Sequence, residues 1–258
     1  MIRAFERAAP WLLVCFCMLV ALVVLRCGGG AGSAPPSPPP GAIPPGQSLG
    51  TGSVSGRVVL TVPPPPREKL NVSMATCGMI HAEPPLSETV VANPDGTLRN
   101  VIVSVKSGLG DRVFAPPEPA VLDQKGCVYA PHVIAVQTNQ IVTFLNSDHT
   151  LHNIHAVTKV NPPFNVGMAV QGQKVSRFFS KPEMVKMKCD VHSWMQSWIG
   201  VFDNPFHSVT ADGGTFTLSG LPAGTYEIEA WHETYGTKSQ HITLAEGEVK
   251  TIEFQFGG

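Results

Sequence analysis

The sequence has little charge and few aromatic side chains. Asp, Glu, Lys and Arg make up 14% of its 258 residues, and Phe, Trp and Tyr make up 7%. The formal net charge is -1, so the chain has no excess of positive charge to attract phosphate groups. Because proteins that bind nucleic acid depend on such an excess, we do not expect nucleic acid as a partner.

After Ser53 the sequence also lacks any stretch in which apolar residues recur at helical spacing over three turns. Its 25 Gly and 24 Pro are typical of short strands joined by turns. A short helical turn at Lys181–Lys186 is the one exception left open. Five segments alternate or run apolar between turn residues, which predicts an all-β protein: Val54–Leu60, Leu98–Lys106, Pro131–Asn146, Gly214–Gly220 and Gly224–Glu233.

No apolar run clearly reaches the ~20 residues of a membrane-spanning helix. The longest, "WLLVCFCMLVALVVL" from Trp11 to Leu25, follows Arg3 and Arg7 and has the length of a signal-peptide core. Counting Ala8 and Ala9 lengthens the run, so an uncleaved membrane anchor is the second interpretation. Either interpretation of residues 1–27 predicts an exported protein.

Residues 28–52 are predicted to be a Pro/Gly-rich linker, with "APPSPPPGAIPPG" as an extended spacer. At its start, Cys27 and the following "GGGAGS" resemble the tether behind the acylated cysteine of bacterial lipoproteins. Arg26 stands where such motifs have a small residue, so a plain anchor or cleavage elsewhere remains open. A tethered domain of this kind suits a bacterial cell envelope, in the periplasm or at the cell surface.

The stretch "KCDVHSWM" spaces a thiol, an imidazole and a thioether closely, at Cys189, His192 and Met195. A thiolate, two neutral imidazoles and a weak thioether form the copper site of electron-transfer proteins, because sulfur suits Cu(I) and imidazole accepts either oxidation state. The second imidazole has to come from another segment. The string "NSDHTLHNIHAV", which follows an apolar strand, offers three candidates: His149, His152 and His155.

"TLHNIHAV" and "CDVHSWM" together resemble the cupredoxins, and amicyanin more than plastocyanin, whose His-to-Met spacing is longer. The resemblance implies one type 1 copper ion with the ligands His152, Cys189, His192 and Met195. It also implies that Asn153 ties the two ligand loops together near the thiolate.

Strand geometry agrees with the choice of His152, because side chains alternate across a strand and His155 would then point away from the metal. His149 lies in the preceding loop and is interpreted as a surface histidine. Two structural alternatives stay open: Cys189 as a buried apolar residue, and Met195 as a core residue.

The resemblance also suggests how electrons would leave the site. His192 is expected at the rim as the electron exit, with Trp194 and Met195 forming an apolar collar for a docking partner. Ordinary core packing is the alternative for Trp194. The apolar segment Trp198–Phe202 is expected to carry the ligand loop back into the sheet.

Of the six cysteines, Cys15 and Cys17 lie in the export segment, which leaves Cys77 and Cys127 unassigned beside Cys27 and Cys189. In an oxidising compartment a disulfide is the natural pairing of two remaining thiols. The rival interpretation is a second metal site formed with nearby histidines, His81 and His132.

The C-terminal stretch "ADGGTFTLSGLPAGTYEIEAWHETYG" resembles the carboxypeptidase regulatory-like modules. The residues that carry this resemblance have structural roles. His232 and Glu233 have no evident partner for a catalytic role, and we expect them at the surface or at an interface. Together the resemblances imply an all-β chain: a cupredoxin Greek-key β-sandwich plus a second, small prealbumin- or fibronectin-like β-sandwich.

The domain order follows from strand count. Residues 206–258, the regulatory-like domain, offer about four strands, too few for a sandwich. We therefore expect residues 53–110 to supply its missing strands, with the copper domain at 111–205 inserted between the two parts. The alternative is two consecutive domains, with the early strands serving the copper domain.

The favoured function is a membrane-tethered, non-enzymatic carrier of single electrons, because four protein ligands leave no position for a substrate. The alternative is a surface module that binds carbohydrate or protein, with a structural or vestigial copper site. Copper storage or delivery is a third possibility. The sequence does not identify the redox partner.

Overall fold

The computed structural model describes residues 34–72 and 74–257. The predicted export segment, including Cys27 as the proposed lipidation site, lies outside the described residues. Among the residues that are described, no helix has the length and apolar character needed to span a membrane.

The regular secondary structure of the described residues is almost entirely strand, with one short helix, which confirms the all-β prediction. The elements are, in chain order, β1 (Gly52–Leu60), α1 (Ala75–Gly78), β2 (Ile102–Ser107), β3 (Ala120–Gln124), β4 (Tyr129–Ala130), β5 (Val133–Gln137), β6 (Val142–Asn146), β7 (His152–Val157), β8 (Phe164–Met168), β9 (Lys174–Arg177), β10 (Glu183–Lys188), β11 (Gln196–Phe202), β12 (His207–Val209), β13 (Thr215–Leu221), β14 (Gly224–His232), β15 (Gly236–Leu244) and β16 (Val249–Phe256).

Two of the four sheets pack around one hydrophobic core. One sheet has the strand order β13-β1-β16 and the other the order β12-β2-β14-β15. The shared core draws on both sheets, for example Val58 and Phe254 from the first and Val103 and Ile228 from the second. Inward apolar and outward polar residues alternate along β13 and β14, as expected for strands with one buried face. We call this unit the first sandwich.

The remaining two sheets form the second sandwich. Their strand orders are β5-β11-β10-β7-β8 and β4-β3-β6-β9, and their inner faces share a separate core that includes Phe144, Ile154, Val185 and Ile199. All nine strands come from the segment between β2 and β12.

Two local expectations differ from the structure. The segment with the possible helical turn at Lys181–Lys186 instead enters β10, a strand between β7 and β11, because Val185 and Met187 alternate with more exposed neighbours and fill the core. The proline-rich spacer also contacts the folded part of the chain at one point along its length. Ile43 exchanges backbone hydrogen bonds with Val113 and Ala115 and packs against the first core.

Helix α1 lies between β1 and β2 in sequence, and both of these strands belong to the first sandwich, but α1 packs against the second. Its Cys77 belongs to the core of the second sandwich, and Val72 packs against the same core. Part of residues 53–110 therefore contacts the second sandwich, at the position of the disulfide that was predicted between Cys77 and Cys127.

The two sandwiches meet at the end of β14. Glu233 accepts a hydrogen bond from Trp198 Nε1 at 2.8 Å and pairs with His132 Nε2, and the carboxylate and the imidazole are both buried. The rings of Trp198 and Trp231 contact edge to face at 5.1 Å. Glu233 is thus an interface residue, one of the two alternatives predicted for it.

Candidate metal centre

Three strands bring the predicted ligands to one end of the five-stranded sheet. His152 begins β7, Cys189 directly follows β10, and His192 and Met195 lie in the short loop that leads into β11. Because β7 and β10 are antiparallel, with His155 opposite Lys188, the start of β7 lies beside the residues that follow β10. This pairing explains how segments distant in sequence come together.

The ligand atoms of His152, Cys189 and His192 all lie within 4.8 Å of one another. The two Nδ1 atoms are 2.9 Å apart, and Cys189 Sγ lies 3.8 Å from His192 Nδ1. Both imidazoles are fully enclosed, and the cysteine is 3% exposed. Cys189 is also the only free cysteine among the described residues. Two imidazoles and a thiol that converge in a buried position match the donor set that copper prefers.

Met195 closes the ligand loop. Its backbone N–H donates to the His192 carbonyl at 2.9 Å, and its carbonyl accepts from the Cys189 N–H at 3.2 Å. The side chain is 1% exposed and belongs to the core of the second sandwich. The structure therefore places the thioether residue in the same buried loop as the thiol.

Asp148 orients His152, a role that the sequence analysis missed. Its Oδ2 accepts a hydrogen bond from His152 Nε2 at 2.9 Å, which leaves Nδ1 to face the other ligands. The carboxylate also accepts from the backbone N–H groups of Gly126 and Cys127, at 2.7 and 2.8 Å. Metal-binding histidines typically donate their second ring N–H to such a carboxylate. The one available signal was position, since Asp148 lies four residues before His152 in the histidine string.

Asn153 links the two ligand segments, as the resemblance implied. Its Oδ1 accepts from the backbone N–H of Asp190, next to Cys189, at 2.6 Å. On the outer side, His155 contacts the Asp190 carboxylate at 2.8 Å and is partly exposed. His149 is exposed. The structure thus separates both of these histidines from the buried cluster.

Protonation in the cluster follows from burial and hydrogen bonding. Burial opposes ionisation of Cys189, but hydrogen bonds from His152 and from backbone N–H groups outweigh it and hold the thiol pKa below its ordinary value. Burial likewise opposes the charged form of His152, while Asp148 and the thiolate raise its pKa. Burial and the neighbouring His152 lower the pKa of His192 to about 4. His192 is therefore neutral near pH 7 and free of a competing proton. The lowered pKa of Cys189 favours the thiolate that a metal binds, whereas a metal at His152 competes with the proton that its raised pKa favours.

A disulfide joins Cys77 and Cys127, whose Cα atoms are 5.7 Å apart. The rival metal site with His81 and His132 is not formed, because His81 hydrogen-bonds to the Gly126 carbonyl and His132 pairs with Glu233. Because the cysteines have a sequence separation of 50, the cross-link stabilises the fold by about 4 kcal/mol in the chain-entropy model.

The disulfide covers His192. Cys77 Sγ lies 3.5 Å from His192 Nε2, and Trp194 donates to the Cys127 carbonyl at 2.9 Å. His192 is therefore fully buried, whereas the sequence analysis expected its ring at the rim. Trp194 is half-buried, and its ring lies 5.0 Å from the His192 ring.

Residues 203–257 match the family model of the carboxypeptidase regulatory-like domain. This match confirms the resemblance noted for the C-terminal stretch. A comparison with curated proteins gave no match.

Several solved structures are similar to part of the chain. A copper-containing nitrite reductase from Thermus scotoductus SA-01 has 21% identity and a TM-score of 0.33, and the match covers 37% of this chain and 25% of that one. A purple cupredoxin from Nitrosopumilus maritimus has 20% identity and a TM-score of 0.28, and the match covers 32% of this chain and 98% of that one. A Cu(I) form of an amicyanin variant has 19% identity and a TM-score of 0.30, and the match covers 38% of this chain and 97% of that one. These TM-scores are too low to carry an argument about a metal. The metal assignment therefore rests on the geometry of the candidate ligands.

Proposed function

We propose that the chain is an exported type 1 copper protein that carries one electron at a time. The observation that carries the proposal is the convergence of three buried ligand atoms: His152 Nδ1, His192 Nδ1 and Cys189 Sγ. A single copper ion bound there would supply the one-electron couple, since thiolate favours Cu(I) and imidazole accepts both oxidation states. Met195 is the proposed fourth ligand.

The surrounding residues hold the ligands in place. Asp148 fixes the tautomer and orientation of His152, and Asn153 fixes the turn that carries Cys189. Because these partners are themselves anchored to backbone groups, the ligands need little rearrangement when the oxidation state changes. A site filled by four protein ligands leaves no position for a substrate, so we propose a carrier and not an enzyme.

Trp194 is the proposed contact for a redox partner protein. Its half-buried ring contacts the enclosed His192 ring, so it connects the ligand loop with the surface. His192 would act beneath this surface and not as an exposed edge.

Export and membrane tethering are part of the proposal. They are supported by the basic and apolar residues of segment 1–27, with Cys27 as a candidate lipidation site, and by a disulfide, which is typical of oxidising compartments. We place the protein in a bacterial cell envelope, in the periplasm or at the cell surface.

A second candidate function is a binding module for carbohydrate or protein. It is favoured by a groove of about 530 Å³ on the first sandwich, lined by polar side chains that include Arg57, Thr217 and Glu253. Copper would then be structural.

Redox cycling of residues 51–258 loaded with copper separates the two functions. An electron carrier should show an intense visible band that disappears on one-electron reduction and returns on oxidation. Copper-loaded protein without colour would contradict the carrier and favour the binding module.

A further inference from the structure

The metal centre is covered by a short structural unit that we call the cap. It consists of residues 74–81, which include α1, and residues 126–128, joined by the Cys77–Cys127 disulfide. The cap contacts His192 directly and His152 through the Asp148 carboxylate. Its backbone N–H groups bind the Asp148 carboxylate that orients His152, and its Cys77 sulfur touches His192.

The His192 ring lies between the Cys189 sulfur on one side and the disulfide sulfurs on the other. Its Nδ1 faces His152 and Cys189, while its Nε2 faces Cys77. The ligand atoms of Cys77, Cys127 and His192 lie within 4.8 Å of one another, and all three residues are fully buried. The Nε2 atom of His192 thus lies beside two sulfur atoms, from Cys77 and Cys127, that are potential metal ligands.

We propose that Cys77 and Cys127, when they are thiols, form a second metal site together with Nε2 of His192, and that this site binds Cu(I). Two thiolates and one imidazole are a soft donor set, which Cu(I) prefers. Structural zinc sites usually need four protein ligands, whereas the group of described residues whose ligand atoms all lie within 4.8 Å of one another here has three members. This inference goes beyond the proposed electron carrier and does not require Cys189.

The site exists only before the disulfide forms. Binding of the metal displaces the two thiol protons. Oxidation of the two metal-bound thiolates then transfers two electrons to a disulfide-bearing oxidant, which takes up two protons from water and becomes a dithiol. The new S–S bond removes both thiolate ligands, so the metal leaves this site and the cap closes over His192. Since both sulfur atoms are buried, the thiol form has to be kept from the start of purification by a reductant.

The test uses full-length Cys189→Ser protein, and every variant also carries Cys15→Ser, Cys17→Ser and Cys27→Ser, so that copper bound through thiolates outside the cap does not contribute. Cu(I) binding is measured in competition with a chromophoric Cu(I) chelator. The thiol form should bind about one equivalent of Cu(I), and the disulfide form should bind at least tenfold more weakly. The matched control, Cys77→Ser/Cys127→Ser/Cys189→Ser, should resemble the disulfide form. Adding His192→Ala to Cys189→Ser should weaken binding by the thiol form at least tenfold.

Three results would overturn the inference: no Cu(I) retained by the thiol form, equal retention by the control that lacks the cap thiols, or preference for Zn(II) over Cu(I). A colourless wild-type protein would contradict the proposed electron carrier and leave this result standing, because the two experiments depend on different thiols.

Discussion

At the scale of single residues, His152 depends on a carboxylate that comes from the preceding loop. Asp148 is 6% exposed and accepts three hydrogen bonds, one from His152 and two from backbone N–H groups of the cap. The carboxylate therefore couples the orientation of a ligand to the position of the cap.

Replacing this carboxylate tests the coupling. In Asp148→Asn, the charge is lost and one side-chain atom becomes a donor that faces other donors. We expect copper affinity to fall by roughly 10- to 100-fold, the usual cost of losing such a partner, with the visible band retained. Chelator competition measures the change. Asp212→Asn, at a carboxylate that is 86% exposed, is the control, and equal affinities in both variants would contradict the assignment.

Met195 allows a second test at this scale. Met195→Leu conserves volume in a fully packed position, so the fold should persist. Because loss of a weak sulfur donor favours Cu(I), we expect the colour to remain and the reduction potential to rise. Voltammetry measures the potential, with His149→Ala as a variant that should leave it unchanged. A potential unaffected by Met195→Leu would make this residue a packing residue only.

That the candidate ligands bind copper stays a prediction, but their grouping could be predicted from the sequence because their spacing is local: Cys189, His192 and Met195 lie in one loop, and His152 lies in one short string. The burial of His192 could not, because it depends on Cys77, which is 115 residues away and reaches the ring only through tertiary packing. Asp148 was near the motif, but its role depends on the loop at Gly126, which no local pattern reveals.

At the scale of elements, β14 ends in a histidine whose ring is buried between aromatic neighbours. The His232 ring lies 5.0 Å from that of Tyr235 and 6.3 Å from that of Phe256. Its Nδ1 accepts from the Thr234 N–H, while its buried Nε2 has no hydrogen-bond partner among the described residues. Burial lowers the pKa of His232 to about 4.

This shift predicts sensitivity of the fold to acid. The unfolded chain, with an ordinary histidine pKa near ~6.5, binds a proton in the range from about pH 6.5 to about pH 4, where the folded chain does not. Stability should therefore fall as the pH decreases through that window, by roughly 3 kcal/mol from this residue. Urea unfolding should show a smaller loss in His232→Gln than in the wild type. His241→Gln, on the exposed side of β15, is the control, and parallel curves for all three proteins would refute the prediction.

At the scale of the whole molecule, the strands of the first sandwich come from both ends of the described chain. Strand β1 lies between β13 and β16, and β2 lies between β12 and β14. Strands β3 to β11, which build the second sandwich, lie between these two groups in the chain. That residues 111–205 are a copper domain inserted between two parts of the regulatory-like sandwich stays a prediction. Strand count in the sequence suggested the arrangement. The sequence also offered an interface as one position for Glu233, but its contacts with Trp198 and His132 depend on tertiary packing and could not be predicted.

Truncation tests whether the C-terminal module is self-sufficient. Residues 205–258 alone lack β1 and β2, which are central strands of both sheets, so the remaining strands cannot pair as they do in the full chain. We expect narrow amide dispersion in the NMR spectrum of this fragment and wide dispersion for residues 51–258. Well-dispersed signals from the fragment would contradict the inserted arrangement.

The central claim is that the Cys189 thiolate binds copper together with His152 and His192. Visible absorption of wild-type and Cys189→Ser protein at equal copper content tests it most directly, with circular dichroism to show that the fold is kept. Because the charge-transfer band requires a copper–thiolate bond, the account predicts an intense band in the wild type and none in Cys189→Ser. A band that persists in Cys189→Ser, or a wild-type protein that binds copper without colour, would contradict it.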